Sequence, residues 1–402
     1  MLLLSRHLLA GLVIAGLAAF ATGLSAQEKK DPKKDPPKKD PPPAAKKDDK
    51  KDPKPDDGDK TVAFATSDGL SLKAYWFQGQ ALEKHRPDAV MMFPAPGSKV
   101  TDAWIDLAKE LSKKNFSVLL FDWRGCGMNG PDAGARIFDN NQAFWAETFN
   151  SKLLGGRKRA IEDKGLDFRQ IANRSEGSFR YSDFMLNDLT GARFYLDRMN
   201  DNQKCNSNRC WIVSEKEGAQ LGMAFIATEF HRNTVYSPKP TPGQGIQIRP
   251  AGRDYAGLVA LSYSRDNPSA STIFRNALPA TAGGAMKEVR DHLETRLATS
   301  LIFSKKEGPS NSRSLINLLG ASGTEEQMKK NFKYLREIDV KDKPITGIGM
   351  IDTMDSFQVR KTMVDDMVGI SKAQPFGKDS TDREANKMLT IPRFQVEGFN
   401  RR

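Results

Sequence analysis

Histidine is scarce in this 402-residue chain: four in all, at His7, His85, His231 and His292. No two of them stand in a His-x-His or His-Glu-x-x-His spacing, so no metal site is expected, and no cofactor either. Cysteine is nearly as rare. Cys126, Cys205 and Cys210 are too few for a disulfide framework. Cys205 and Cys210 are close enough to close a small loop in an oxidising compartment, and buried idle thiols are the equal alternative. After the first 26 residues no stretch is apolar enough to span a bilayer. No zinc-finger, RNA-binding or helix-turn-helix signature accompanies the net charge of +12. The basic balance therefore gives no reason to expect nucleic acid.

The start and the linker assign an address. Arg6 precedes an apolar run from Leu8 to Phe20, then mostly small residues up to Ala26. That is the pattern of a secretory signal peptide, expected over residues 1–26, and the run is short for a membrane anchor. From Glu28 to Lys60 the chain is almost wholly Lys, Asp and Pro: 12 Lys stand against 9 Asp and Glu28, with 8 Pro. With so little apolar surface to bury, residues 27–60 are expected to be a disordered, extended spacer. The interleaved Asp argues against a binding tail, since single-sign blocks mark those. An exported protein of a bacterial periplasm or envelope is expected. Its partner class stays open between an anionic envelope component and another exported protein.

Residues 61–372 are long enough for one decorated α/β domain. Thr61–Ala65 and Leu70–Phe77 flank Ser67-Asp68-Gly69 and predict a hairpin. Ala89–Phe93, Phe116–Phe121, Trp211–Val213, Tyr255–Ser262 and Thr299–Phe303 are short, nearly continuous apolar runs, the sign of strands buried on both faces. Ile345–Ile351 (ITGIGMI) is predicted as the last strand. Helical spacing predicts helices over Asp102–Lys113, Asp183–Met199, from the central strand to about Phe230, around Ser312–Leu319, and Val359–Ser371. Strands alternating with helices predict a doubly wound, mostly parallel sheet. Two excursions, 128–182 and 264–298, are expected to lie over the C-terminal edge of the sheet, and 373–402 is a polar tail.

The centre of this pattern is WIVSEKEGAQLG, Trp211 to Gly222. A strand that turns at once into a helix needs small side chains two places either side of the turning residue. Ser214 and Gly218 supply them around Lys216. This resembles the nucleophile elbow, G-x-S-x-G, of the α/β-hydrolase superfamily, with lysine where the attacking serine stands. A second motif agrees. Asp122-x-Arg124-Gly125-x-Gly127 resembles the D-x-R-G-x-G-x-S turn after the fourth strand of that superfamily, with Asn129 in place of the serine. Its glycines permit backbone angles closed to other residues, and Arg124 is expected to tie the loop to neighbouring carbonyls.

The resemblance implies a doubly wound α/β-hydrolase sheet and a serine-esterase or peptidase site, whose parts can be sought one by one. Lys216, between Glu215 and Glu217, holds the nucleophile position. The base should follow the last strand, in Asp352–Gln358, and no histidine is there. His85, His231 and His292 are expected at the surface. The acid position offers Glu307 after the seventh strand, or Asp266 after the sixth. The oxyanion loop reads Pro94-Ala95-Pro96-Gly97, and Pro96 has no N–H to give. Ser214 and Cys126 are the candidates for a displaced nucleophile. The expectation is a catalytically inactive hydrolase-like protein that binds or scaffolds. An active ester or peptide hydrolase with a non-standard nucleophile is the alternative, and a structural surface protein whose charged linker carries the biology is the third reading.

Overall fold

The computed structural model describes residues 59–80, 86–135, 141–146, 148–171, 175–176, 179–181, 185–236, 247–277, 285–320, 323–339, 346–351 and 356–373. All lie within the compact unit Lys54–Arg402. The expected signal peptide, nearly all of the spacer and nearly all of the tail fall outside the described residues.

Eight segments pair into one sheet: β1 (Asp59–Ala65), β2 (Ser71–Phe77), β3 (Asp88–Phe93), β4 (Phe116–Phe121), β5 (Asn206–Glu215), β6 (Tyr255–Leu261), β7 (Ala298–Ser304) and β8 (Lys333–Ile338). Their order is β1-β2-β4-β3-β5-β6-β7-β8. β2 runs antiparallel to both neighbours, and every other pairing is parallel. The expected mostly parallel, doubly wound sheet is present. The hairpin starts at Asp59, two residues inside the expected spacer.

The apolar runs account for the centre. β3, β4, β6 and β7 are buried along their whole length, which requires cover on both faces. Side chains alternate, so one strand feeds two cores. Met91, Phe93, Leu119, Phe121 and Ile212 point to one side, under α2 (Leu186–Asp201) and α3 (Lys216–Glu229). Val90, Met92, Val118, Leu120 and Val213 point to the other, under α1 (Asp102–Ser112) and α4 (Ser356–Ala373). In α1 the buried Ala103, Trp104, Leu107, Ala108 and Leu111 recur at three- and four-residue spacing, so a single stripe meets the sheet.

One strand lies elsewhere than expected. The described part of the expected strand Ile345–Ile351, residues 346–351, is no strand: Gly347–Met350 form a single 3-10 turn, and Gly347 has φ +63°, which breaks any extended run. Among the described residues the last strand is β8, KYLREI, paired to β7 from Thr299↔Lys333 to Ser304↔Ile338. As an edge strand it is only half covered, so its charged positions hide the period-two pattern.

The turn after β4 is held by buried charge. Arg124 is fully buried, and its guanidinium reaches carboxylates rather than the expected carbonyls. It contacts Asp188 at 2.6 and 2.8 Å and Asp68 at 2.6 and 2.8 Å. Asp68 comes from the β1–β2 turn and Asp188 from α2, so one side chain ties three elements. Burial would raise the Asp68 carboxyl, but the Arg124 charge beside it holds it below its ordinary value. Gly125 and Gly127 take φ of +75° and +45° there, and the Asp122 carboxylate accepts from the backbone N–H groups of Val100 (2.6 Å) and Met128 (2.9 Å). Asn129 bridges the same turn to the Lys73 backbone of β2. Replacing Arg124 with methionine leaves two carboxylates buried without their cation and should cost roughly 3–5 kcal/mol in denaturant unfolding. Adding Asp68→Asn and Asp188→Asn should recover part of that loss.

Candidate functional site

The elbow is built as its residues require. β5 ends at Glu215, α3 begins at Lys216, and Lys216 takes φ +45°, a left-handed angle that costs about 1–3 kcal/mol for a non-glycine residue. Close packing over-determines it. A Cβ at Gly218 would overlap Ser214 Oγ and stand 2.7 Å from the Pro94 carbonyl. Ser214 is buried and donates its hydroxyl to the Phe93 carbonyl at 2.8 Å. Ser214 is thus part of the packing and is not presented as a nucleophile. Lys216 is half-exposed at the C-terminal end of the strand.

Glu215 is the residue that sequence reasoning passed over. It is 2% exposed, and its carboxylate lies between two loops. One oxygen accepts from Ala95 N–H at 3.2 Å, in the loop after β3. The other accepts from Ile348 N–H at 2.6 Å, in the segment after β8. In the resembled site the first loop supplies an oxyanion donor and the second the base. Here Ala95, not position 96, turns its N–H to the elbow, and an internal carboxylate already holds it. Pro96 is half-buried and Gly97, at φ +85°, is exposed.

Gly347 lies in the segment after β8, ahead of Asp352–Gln358, the stretch in which the base is sought and of which 352–355 fall outside the described residues. A Cβ at Gly347 would overlap Glu215 Oε2 and meet Lys216 Cε at 3.0 Å, so only glycine fits against the elbow. Its N–H donates to Ser262 Oγ at 2.7 Å. Ser262 follows β6 at φ +52°, and the Glu307 carboxylate lies beside it. Burial leaves the Glu307 carboxyl raised, while the nearby Ser262 hydroxyl, the Ser304 backbone and the Lys216 charge act on it in the opposite sense. Glu307 Oε2 is buried without a partner. The structure therefore brings Lys216, Glu215, Ser262, Glu307 and Gly347 together. Asp266 is apart from them: it is exposed and bonded to the Ser264 hydroxyl.

The remaining candidates sort by burial. Cys126 is pushed up to about 12, chiefly by burial, with a Gly97 backbone hydrogen bond acting the other way. At neutral pH it is a thiol, not a nucleophilic thiolate. Cys205 and Cys210 are free and buried, so the small loop is not bridged. His231 is exposed as expected, and His85 lies outside the described residues. His292 is not at the surface. It is 6% exposed, packs edge-on to Phe230 at 5.2 Å, and lies 3.3 Å from the Tyr255 carbonyl. The apolar stripe of its helix carries it inward. Phe168, from the 128–182 segment, covers the oxyanion loop: its ring faces Gly97, and its N–H donates to the Gly125 carbonyl at 3.2 Å.

Burial lowers His292 to about 4 from an unfolded value near 6.5. The unfolded chain then binds the extra proton first, so this group's contribution to stability is complete above about pH 6.5 and is lost as pH falls toward 4. Unfolding followed between pH 4 and 7 should show a loss of roughly 2–4 kcal/mol that His292→Gln removes.

No protein-family profile matches the sequence, and no curated protein sequence matches it. Solved structures do. The esterase domain of a Rhodothermus marinus protein shares 14% identity over 77% of this chain and 98% of its own, with a TM-score of 0.39. An esterase of Pyrococcus furiosus shares 11%, over 77% and 90%, at 0.37. A Pyrococcus horikoshii acylaminoacyl peptidase shares 10%, over 85% of this chain and 44% of its own, at 0.38. The chain's own order β1-β2-β4-β3-β5-β6-β7-β8, its single antiparallel β2 and its β5–α3 elbow are those of an α/β-hydrolase fold.

Proposed function

We propose that the protein is an exported, catalytically silent α/β-hydrolase-fold module that binds or scaffolds in the cell envelope. The observation that carries this reading is the Glu215 carboxylate, bonded at once to Ala95 N–H and Ile348 N–H. An oxyanion needs free N–H donors aimed at it, and a fixed internal anion both takes a donor and repels a second negative charge. Lys216 supplies no hydroxyl at the elbow, and no histidine follows residue 292 to serve a nucleophile there. Ser214 and Cys126, buried and committed to packing, give no support to an active hydrolase with a displaced nucleophile. The signal-like start and the Lys/Asp/Pro spacer support export, and the basic balance supports an acidic partner.

Incubation of the protein with a broad fluorophosphonate probe and a short-chain aryl ester tests the silence. The expected result is no labelled residue and no turnover above buffer. Labelling at one site, with turnover that its replacement abolishes, would sink the proposal. Lys216→Ser should stay equally silent, because the hydroxyl it introduces has no base and Glu215 still holds the Ala95 donor. Removal of residues 1–26 in a bacterial host should retain the protein in the cytoplasm, which fractionation reads.

A further inference from the structure

Away from the elbow, a cavity of about 480 Å³ opens at the β8 edge, between the helix Ser310–Leu318 and the helix Glu325–Lys330. Its lining includes Arg313, Lys329, Lys333 and Arg336, with Tyr334 and a single carboxylate, Glu325. Lys333 is the unusual member. It is 1% exposed, and its ammonium donates to the carbonyls of Leu297 (2.5 Å) and Asn331 (3.2 Å). Among the described residues no carboxylate lies within ion-pair distance of it. Glu294 acts on it only from farther off.

A buried ammonium normally has a counter-ion, because carbonyl dipoles replace water without neutralising charge. The neighbours do not provide one. Glu325 is paired to Lys329 at 2.8 Å. Asp366 is occupied by Arg336 at 2.6 and 3.0 Å, and that guanidinium also lies 5.1 Å from the Tyr334 ring. Arg313 is exposed at the mouth. Cations thus exceed carboxylates around a cavity large enough for a tetrahedral oxyanion and a small substituent. We infer that this cavity binds a doubly charged oxyanion, a phosphate or sulfate group, free or carried on a small ester. Arg313 and Lys333 would supply its donors. The inference is independent of what the elbow does.

Burial places Lys333 down at about 7. An anion favours its protonated form, so affinity for a dianion of constant charge must fall as pH rises through that value. The other charged or titratable groups around it are Glu294, His292, Glu325, Lys329, Arg313, Arg336 and Asp366, and sulfate itself keeps its charge across this range.

Sulfate, inorganic phosphate and glycerol phosphate, each against chloride at matched ionic strength, provide the test on the whole protein by calorimetry and thermal shift. Sulfate should bind where chloride does not, and its affinity should drop by about tenfold or more between pH 6 and 9. Arg313→Ala, at an exposed position, should weaken it about tenfold, the scale of one charge-assisted hydrogen bond. Lys333→Met should abolish it; if that variant does not fold, the pH profile of the intact protein carries the same information. Tighter binding of glycerol phosphate than of phosphate identifies an ester as the ligand source, and the reverse order identifies the free ion. Sulfate that binds no better than chloride, or with an affinity indifferent to both pH and Arg313, overturns the inference.

Discussion

The carboxylate of Glu215 is the interaction on which the site depends. It sits at the end of the central strand and joins the loop after β3 to the segment after β8 through two backbone N–H groups. Those are the two loops an α/β-hydrolase site must hold in register, and here they are held by an anion of the chain itself. Gly347 can approach only because it has no Cβ, and its own N–H extends the connection to Ser262. The outcome is a set of hydrogen bonds that joins both loops and the end of β6 to the elbow. Phe168 packs on the rim of the same loop.

The rigid frame around it comes from buried charge as well as apolar packing. Arg124 ties the β1–β2 turn and α2 to the loop after β4, and on the same helix Arg193 ties Asp197 to Asp254 at 3.2 and 2.7 Å. Such pairs add little net stability against apolar substitutes, but breaking one partner is costly, so they fix which loop meets which helix. A frame of this kind tolerates the left-handed angles at Lys216 and Ser262, which the strand ends alone would not hold. Fold and elbow are therefore held as one mechanical unit, with lysine at the position of the elbow's serine.

Much of this is legible in the amino-acid sequence. Fully buried strands announce themselves as unbroken apolar runs, so AVMMF, FSVLLF and YAGLVALS each lie within a residue or so of the observed strand. The elbow was legible because steric exclusion leaves a trace in residue type, Ser214 and Gly218. What stayed hidden was long-range and polar. Glu215 reads as one of three alternating charges in Ser-Glu-Lys-Glu-Gly, and nothing local says that it turns inward while Lys216 does not. Asp68 reads as a turn residue, and its pairing with Arg124 spans 56 positions. ITGIGMI has a strand's composition, yet Gly347 needs a positive φ that only its tertiary contacts reveal. β8 was missed for the opposite reason, since an edge strand shows charge where a central one shows valine and leucine. His292 follows the apolar stripe of its helix, which its own polarity conceals.

Native-state hydrogen exchange at the Ala95 and Ile348 amides tests the central claim most directly. If the Glu215 carboxylate holds both loops, the two amides are protected in the native protein and lose that protection together in Glu215→Ala, while the amides of β3 and β6 keep theirs. Exchange at solvent rates in the native protein, or protection that survives Glu215→Ala at either amide, would contradict the account and leave a donor open for an oxyanion.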